Sequence, residues 1–168
     1  MSVNRIVYRK ATKHDVVFMS EILVDAAAAS GVNILIDDLS IYTDTYQYIE
    51  SFPEGLDVGI IAETTAGMPV GAAWVRMLAN DVHAVNEPMP ELTMGVVPDY
   101  RRMGIGEQLV EELYNAAFTM GILKISLGVH EENFPAINLY KKQGWVEDGR
   151  FKEYIMMSRE TNINIRIG

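Results

Sequence analysis

The order of apolar and polar positions along the chain predicts an alternation of strands and helices. Apolar residues at every second position are typical of a strand, and apolar residues that recur at i, i+3 and i+4 are typical of one helix face. The predicted strands are Ile6–Lys10, Val58–Glu63, Val70–Met77, Glu91–Val97, Ile122–Val129 and Phe151–Met157. The predicted helices run from about Val16 to Ala29, from about Ile36 to Ser51, from Leu109 to Met120 and from Pro135 to Gln143.

Capping and turn residues mark the ends of these elements. Thr12 precedes Asp15 by three positions, which is an N-cap signal for the first helix, and Ser30-Gly31 is suited to its end. Asn133 is placed to cap the last helix. The remaining connections are a hairpin turn over 64–69, a long polar loop over 78–90, a lead-in to the last strand over 145–150 and a loose tail after the last strand.

The stretch from Glu91 to Gln108 predicts an anion site. Pro98 ends the strand, Arg101 and Arg102 follow, and Gly104 and Gly106 precede the apolar helix face. The first N–H groups of a helix lack internal partners and lie at its positive end, and glycines let a phosphate approach the backbone closely. A pyrophosphate fits this pattern, while the spacings of a Walker loop and of a dinucleotide fingerprint are both missing.

Composition narrows the classes of function. At 168 residues with 49% apolar and 22% charged residues, the chain is expected to form one soluble domain. No apolar run of signal-peptide or membrane-helix length is present, so a cytoplasmic location and no membrane partner are expected. Without cysteine there is no acyl-cysteine intermediate, and three distant histidines do not predict a metal. The net charge of −9 disfavours nucleic acid and would tolerate a cationic amine.

Two motifs resemble those of the GNAT acetyltransferase family. The first is Arg101-x-x-Gly104-x-Gly106 after a Val-x-Pro strand end, which is similar to the family's acetyl-coenzyme A loop. The second is Ala136-Ile137-x-Leu139-Tyr140-Lys141-x-x-Gly144-Trp145, at the expected separation. Residues 91–145 carry the resemblance, and the first 80 residues share only the layout. The resemblance implies an α+β fold with a mixed, largely antiparallel sheet of about six to seven strands and about four helices, in one domain over 1–158 with a tail over 159–168.

The resemblance also implies acetyl-CoA as co-substrate, with no metal. The central strand is expected to splay from the strand that ends at Val129, often at a bulge, so that an extended pantetheine arm pairs with exposed backbone groups. Asn133 would bind the arm, although a pure N-cap role stays open. The expected cofactor-binding residues are Met94, Gly95, Val96, Arg101, Arg102, Met103, Gly104, Ile105, Gly106, Glu107, Asn133 and Tyr140.

Three groups are candidates for the chemistry by the same resemblance. Tyr140 would give a proton to the leaving thiolate, the alternative being a buried core tyrosine. Glu91 would act as the base that deprotonates the amine, directly or through water, the alternative being a solvent-facing carboxylate at the strand end. The Val96 N–H is the candidate donor to the carbonyl oxygen.

The acceptor is the least determined part. The 36–51 stretch carries Tyr42, Tyr46 and Tyr48 with Asp37, Asp38 and Asp44, which would suit a cationic amine or would simply be core and rim residues. The 78–90 loop would cover the acceptor or be a plain surface loop. Relatives that acetylate ribosomal-protein N-termini carry a glutamate where this chain has Gly128, which favours a small-molecule primary amine. The alternatives are a protein N-terminal or lysine acetyltransferase, an acyl-CoA-binding module without catalysis, and a nucleotide-binding regulator. A homodimer is left open.

Overall fold

A computed structural model describes residues 5–78 and 89–161 of the chain. The strands are β1 Ile6–Lys10, β2 Val58–Thr64, β3 Pro69–Arg76, β4 Glu91–Val96, β5 Lys124–His130, β6 Val146–Phe151 and β7 Tyr154–Glu160. The helices are α1 Val16–Ala29, α2 Thr43–Tyr46, α3 Ile105–Thr119 and α4 Phe134–Lys142. Short 3-10 turns cover Lys13–Asp15, Ile36–Ile41 and Pro98–Tyr100.

The strands form one seven-stranded sheet in the order β1-β2-β3-β4-β5-β7-β6. All neighbouring pairs are antiparallel except β4 and β5, which are parallel. This mixed sheet with flanking helices confirms the predicted α+β fold. The β4–β5 ladder has one paired position, Glu91 opposite Ser126, so the two strands splay as predicted. Among the described strands, the register shifts lie in the β2–β3 and β6–β7 pairs rather than in the β3–β4 pair beside the splay.

Helices cover both faces of the sheet and bury two apolar layers. Side chains of α3 and α4, among them Leu109, Leu113 and Ile137, pack with inward-facing residues of β2 to β5 and β7. On the other face, side chains of α1, including Met19 and Ile22, pack around Trp74. Since successive residues of a strand point to opposite faces, each face of β4 belongs to one of these layers.

The predicted helix over 36–51 was wrong as a continuous element. The segment forms a 3-10 turn, the four-residue helix α2 and further turns, with a break at Tyr42 (φ −87°, ψ 75°). Thr43, Asp44 and Thr45, which follow the break, have weak helix propensity, and threonine and aspartate side chains compete for backbone hydrogen bonds. Contacts with β3 hold the segment, and Trp74 Nε1 donates to the carbonyl of Tyr48 at 2.8 Å.

The C-terminal prediction also needs correction. The lead-in over 145–150 is largely a strand of its own, and Phe151 ends β6 and does not begin the last strand. The hairpin turns at Lys152, which has a positive φ of 52°. The last strand continues to Glu160, so the first residues of the expected tail belong to the sheet, and Thr161 N donates to Leu123 O at 2.9 Å. Residues 162–168 and most of the predicted 78–90 loop, namely 79–88, lie outside the described residues.

Candidate active site

The splay of β4 from β5 opens a cavity of about 840 Å³. Its walls come from α1, the 44–48 segment, β4, the loop before α3, β5 and α4. The sequence-predicted site residues in this lining are Glu91, Met94, Gly95, Val96, Arg101, Arg102, Gly104, Ile105, Gly106, Glu107, Asn133 and Tyr140. Met103 is not part of the lining, and its side chain is 63% exposed.

The backbone of β4 presents hydrogen-bonding groups to the gap. Val97 N donates to Val70 O at 2.9 Å on the β3 side. Because successive backbone groups of an antiparallel strand point alternately to its two neighbours, the N–H and C=O groups of Met94 and Val96 point toward β5. The single paired position of the β4–β5 ladder lies at Glu91, the first residue of β4. An extended amide-containing chain therefore fits against Met94 and Val96, whereas the backbone of Gly95 points to β3.

The loop before α3 is fixed to β4 and opens at the helix start. Arg101 Nε donates to the Val96 carbonyl at 2.9 Å, so this guanidinium anchors the loop to the strand. Gly104 is the N-cap of α3 with φ +80°, and no atom lies within 4 Å of the place a Cβ would take. Gly104, Ile105 and Gly106 line the cavity. The first N–H groups of α3, which lack intrahelical partners, therefore lie at the cavity wall, an arrangement that suits a diphosphate.

Tyr140 belongs to both the core and the cavity wall. Its side chain is 8% exposed, it packs in the layer beneath α4, and its ring centroid lies 5.7 Å from that of Trp145. Burial raises the pKa of the Tyr140 phenol above its usual range. The phenol therefore keeps its proton at neutral and mildly alkaline pH, as a proton donor must.

Glu91 is buried rather than solvent-facing. It is 3% exposed and lies on the cavity wall, so the alternative of a solvated strand-end carboxylate was wrong. Four positions separate it from Gly95, and the two share the face of β4 that α1 covers. A Cβ at position 95 would meet Ile22 Cγ2 at 2.9 Å, because α1 packs directly on this face.

Asn133 performs the capping role and also reaches the cavity. Its Oδ1 accepts a hydrogen bond from Ala136 N at 3.4 Å at the start of α4. The side-chain amide carries N–H donors in addition to this acceptor. The cap and a contact to a bound molecule are therefore compatible.

Sequence reasoning missed His130 and Tyr154 on the wall. Their rings meet edge-on with centroids 5.7 Å apart, and His130 Nδ1 accepts from Glu132 N at 3.2 Å. The alternation of β5 was a signal for His130, since every second residue from Ser126 shares one face. Tyr154 was missed because the strand bounds in that region were wrong.

Only part of the predicted acceptor segment reaches the cavity. Asp44 and Tyr48 are in the lining, together with Thr45 and Gln47, which were not singled out from the sequence. Tyr46 also packs against the core layer of α1. The exposed residues Tyr42 and Asp37 and the half-buried Asp38 lie outside the lining.

Residues 5–78 and 89–161 also bear on metal binding and on membrane insertion. These ranges contain no group of three or more metal-ligating side chains of the His, Cys, Asp and Glu types. Within the same ranges, no helix has the length and apolar content needed to cross a bilayer.

Comparison with known families agrees with this geometry. The sequence model described as "Acetyltransferase (GNAT) family" matches residues 31–145, which is more than half of the chain. The chain belongs to the GNAT acetyltransferase family. The resemblance of residues 91–145 is thereby confirmed, and the match extends into the half of the chain that resembles the family only in layout.

One protein is similar in part of its sequence, and two solved acetyltransferase structures support the fold. An N-alpha-acetyltransferase of Sulfurisphaera tokodaii is 37% identical over 70 residues, an alignment that spans 38% of this chain and 38% of that protein. The PaiA N-acetyltransferase of Thermoplasma acidophilum, solved with coenzyme A, superposes with a TM-score of 0.68 at 19% identity over 93% of this chain and 99% of that one. YncA of Salmonella typhimurium, solved with acetyl-CoA, superposes with a TM-score of 0.66 at 18% identity over 95% of this chain and 96% of that one.

Proposed function

We propose that this protein transfers an acetyl group directly from acetyl-CoA to the primary amine of a small molecule. The observation that carries the proposal is the convergence of three features on one cavity. These are the open start of α3 at Gly104, the β4 backbone facing the gap, and the buried phenol of Tyr140. The family match and the coenzyme-bound neighbours support the same choice of co-substrate.

Each part of the cavity has a role in this proposal. When bound, acetyl-CoA supplies the acyl group as an activated thioester. The N–H groups at the start of α3 would hold the diphosphate, with Arg102 adding positive charge nearby. Backbone groups of Met94 would orient the pantetheine arm, the Val96 N–H would face the acetyl group, and Asn133 would donate to the arm. Arg101 acts indirectly, because its Nε holds the Val96 carbonyl.

The proton transfers are assigned to two buried side chains. Glu91 would take a proton from the ammonium of the acceptor, directly or through water, because only the neutral amine is a nucleophile. The Val96 N–H would donate to the carbonyl oxygen under attack. As the new C–N bond forms and the C–S bond breaks, Tyr140 would give its phenolic proton to the departing sulfur. The second proton that the nitrogen loses would restore the phenol through water. No cysteine is present, so no acyl-cysteine intermediate can form, and direct transfer is part of the proposal.

A small molecule is preferred over a protein as acceptor because of Gly128. The position carries no side chain on the face that β5 shares with His130, where N-terminal acetyltransferases of ribosomal proteins are expected to carry a glutamate. The relative from Sulfurisphaera tokodaii, an N-alpha-acetyltransferase, favours the second candidate, a protein N-terminus. A cytoplasmic location and a homodimer remain predictions.

A panel of amines tests this function. The protein is incubated with acetyl-CoA and either small primary amines, peptides with free N-termini or lysine-containing peptides, and released thiol is measured. Turnover confined to small amines supports the proposal, whereas preference for a peptide N-terminus overturns the small-molecule assignment. Coenzyme A binding without turnover of any amine would support a binding module instead. Tighter binding of ATP than of coenzyme A in calorimetry would support a nucleotide regulator.

A further inference from the structure

We infer that Trp74 and Arg76 of β3 are positioning residues for the acceptor side of the cavity. The inference rests on the proposed function and deepens it, since it says what sets affinity for the amine. We call this pair the β3 clamp. Neither residue lines the cavity, yet both bond the backbone of the 47–50 segment, whose residues Gln47 and Tyr48 do line it.

The geometry of Arg76 is that of a buried fork. Its side chain is 8% exposed, and Nη1 donates to the carbonyls of Gln47 at 3.1 Å and Glu50 at 2.7 Å. Its Nη2 lies 2.9 Å from Asp57 Oδ2, on a carboxylate that is itself 7% exposed. That same oxygen accepts from Glu54 N at 2.9 Å, so the ion pair also fixes the turn that follows the segment.

Trp74 adds a third attachment from the same face of β3. It is fully buried among the side chains of the α1 layer, and its indole N–H donates to the Tyr48 carbonyl at 2.8 Å. The clamp thus holds three carbonyls within four consecutive residues, Gln47, Tyr48 and Glu50.

The segment depends on this clamp because it has little regular structure of its own. Helix α2 ends at Tyr46 after four residues, and the following residues form turns. A turn segment without a ladder partner relies on side-chain donors to fix its carbonyls. The position of the Gln47–Tyr48 wall is therefore set by the packing of Tyr48 against the α1 layer together with two side chains that are distant in sequence, Trp74 and Arg76.

The clamp also connects this wall to the candidate base. Arg76 is directly opposite Glu91 in the β3–β4 register, and Trp74 is opposite Thr93. Residues directly opposite in an antiparallel pair share one face of the sheet. β3 therefore holds the wall from positions directly opposite Glu91 and Thr93 of β4, and Glu91 is the carboxylate that would deprotonate the amine. The diphosphate would bind elsewhere, at the start of α3.

Two conservative substitutions test the inference. Trp74→Phe keeps a buried ring and removes the indole donor, and Arg76→Lys keeps a charge but cannot reproduce the fork. We expect the KM for the amine to rise about threefold to tenfold in Trp74→Phe, which is the range for loss of one hydrogen bond, and more in Arg76→Lys. The KM for acetyl-CoA should not change. Arg9→Lys is the control, because Arg9 also forms a fork, with Asp15 and Glu63, and bonds no residue of the wall, although its side chain is more exposed than that of Arg76.

Amide hydrogen exchange gives a readout that does not need an acceptor. The clamp variants should speed exchange in residues 47–50 by about tenfold and leave the start of α3 unchanged, while Arg9→Lys should affect neither. Equal increases in both KM values, or unchanged exchange in residues 47–50, would overturn the inference. If the wild-type protein acetylated no amine, the proposed function would fail, and the exchange measurement would still decide whether the clamp positions the wall.

Discussion

Substitution of Gly104 tests directly where the diphosphate binds. The residue has φ +80° at the N-cap of α3, and a Cβ there would meet no atom within 4 Å. Gly104→Glu therefore introduces backbone strain of about 1–2 kcal/mol but no steric clash in the free protein. The added carboxylate would lie where the N–H groups of α3 are proposed to receive a phosphate.

The expected loss of affinity follows from charge. For two unit charges about 5 Å apart at an effective dielectric constant of about 20, the repulsion is about 3 kcal/mol, which is about a hundredfold in a binding constant. Steric occlusion of the phosphate adds to this. Isothermal titration calorimetry with coenzyme A should therefore show a Kd for Gly104→Glu that is at least about a hundredfold above the wild type. Gly104→Ala, which adds strain without charge or bulk, should lose far less.

Gly121→Glu is a matched control at the other end of the same helix. Gly121 has φ +85° just beyond α3, and a Cβ there also meets no atom within 4 Å. Both glutamate variants should lose Tm through backbone strain, and Gly121→Glu should lose somewhat more because its carboxylate lies at the negative end of the helix dipole. Gly121→Glu should nevertheless bind coenzyme A like the wild type. If the two variants bound coenzyme A equally well, the diphosphate would not lie at the start of α3 and the reasoning would be refuted.

Three further predictions concern the chemistry, the cap and the pH dependence of stability. Tyr140→Phe should lower kcat by about 10²–10⁴ without weakening coenzyme A binding. Tyr114→Phe, which removes a buried phenol outside the cavity lining, should leave kcat unchanged. Similar kcat values in the two variants would contradict the assignment of Tyr140 as the acid. Asn133→Asp keeps the cap but loses the amide donor, so coenzyme A affinity should fall about threefold to tenfold at unchanged Tm. An unchanged Kd would mean that Asn133 serves only as the cap of α4. The hydrogen bond from Arg9, against the opposing effect of burial, lowers the pKa of Asp15. The contribution of the Asp15 carboxylate to the free energy of unfolding is therefore present above about pH 4 and lost as the pH falls through the folded-state pKa. In urea unfolding, the stability of Asp15→Asn should fall less with decreasing pH than that of the wild type.

The elements around the cofactor were predictable because local sequence determines them. The strand end at Pro98, the left-handed N-cap at Gly104 and the side-chain cap at Asn133 each act within a few residues of the element that they bound. The capping box of Thr12 and Asp15 is likewise present, with Thr12 N donating to Asp15 Oδ2 at 2.8 Å, although it opens a 3-10 turn before α1. Such short-range signals survive in a single sequence.

The hairpin of β6 and β7 was missed because its usual signals are weak. Nearly all of β6 is exposed at the sheet edge, so its residues lack the apolar alternation that marks a half-buried strand. The turn places Lys152 at φ 52° without the glycine or asparagine that normally identifies a tight hairpin. Consequently Tyr154, which follows this turn, was not expected on the cavity wall.

The acceptor side differs from the cofactor side in how it is held, and this explains why its chemistry was hardest to predict. Backbone groups of β4 and α3 form the cofactor side, and their direction follows from secondary structure alone. The acceptor wall at Gln47 and Tyr48 is fixed by Trp74 and Arg76, which lie 26 to 29 positions later in the chain. Substitutions in the wall or its clamp can therefore change the amine that fits while the binding of coenzyme A is retained, so the two halves of the site can vary independently.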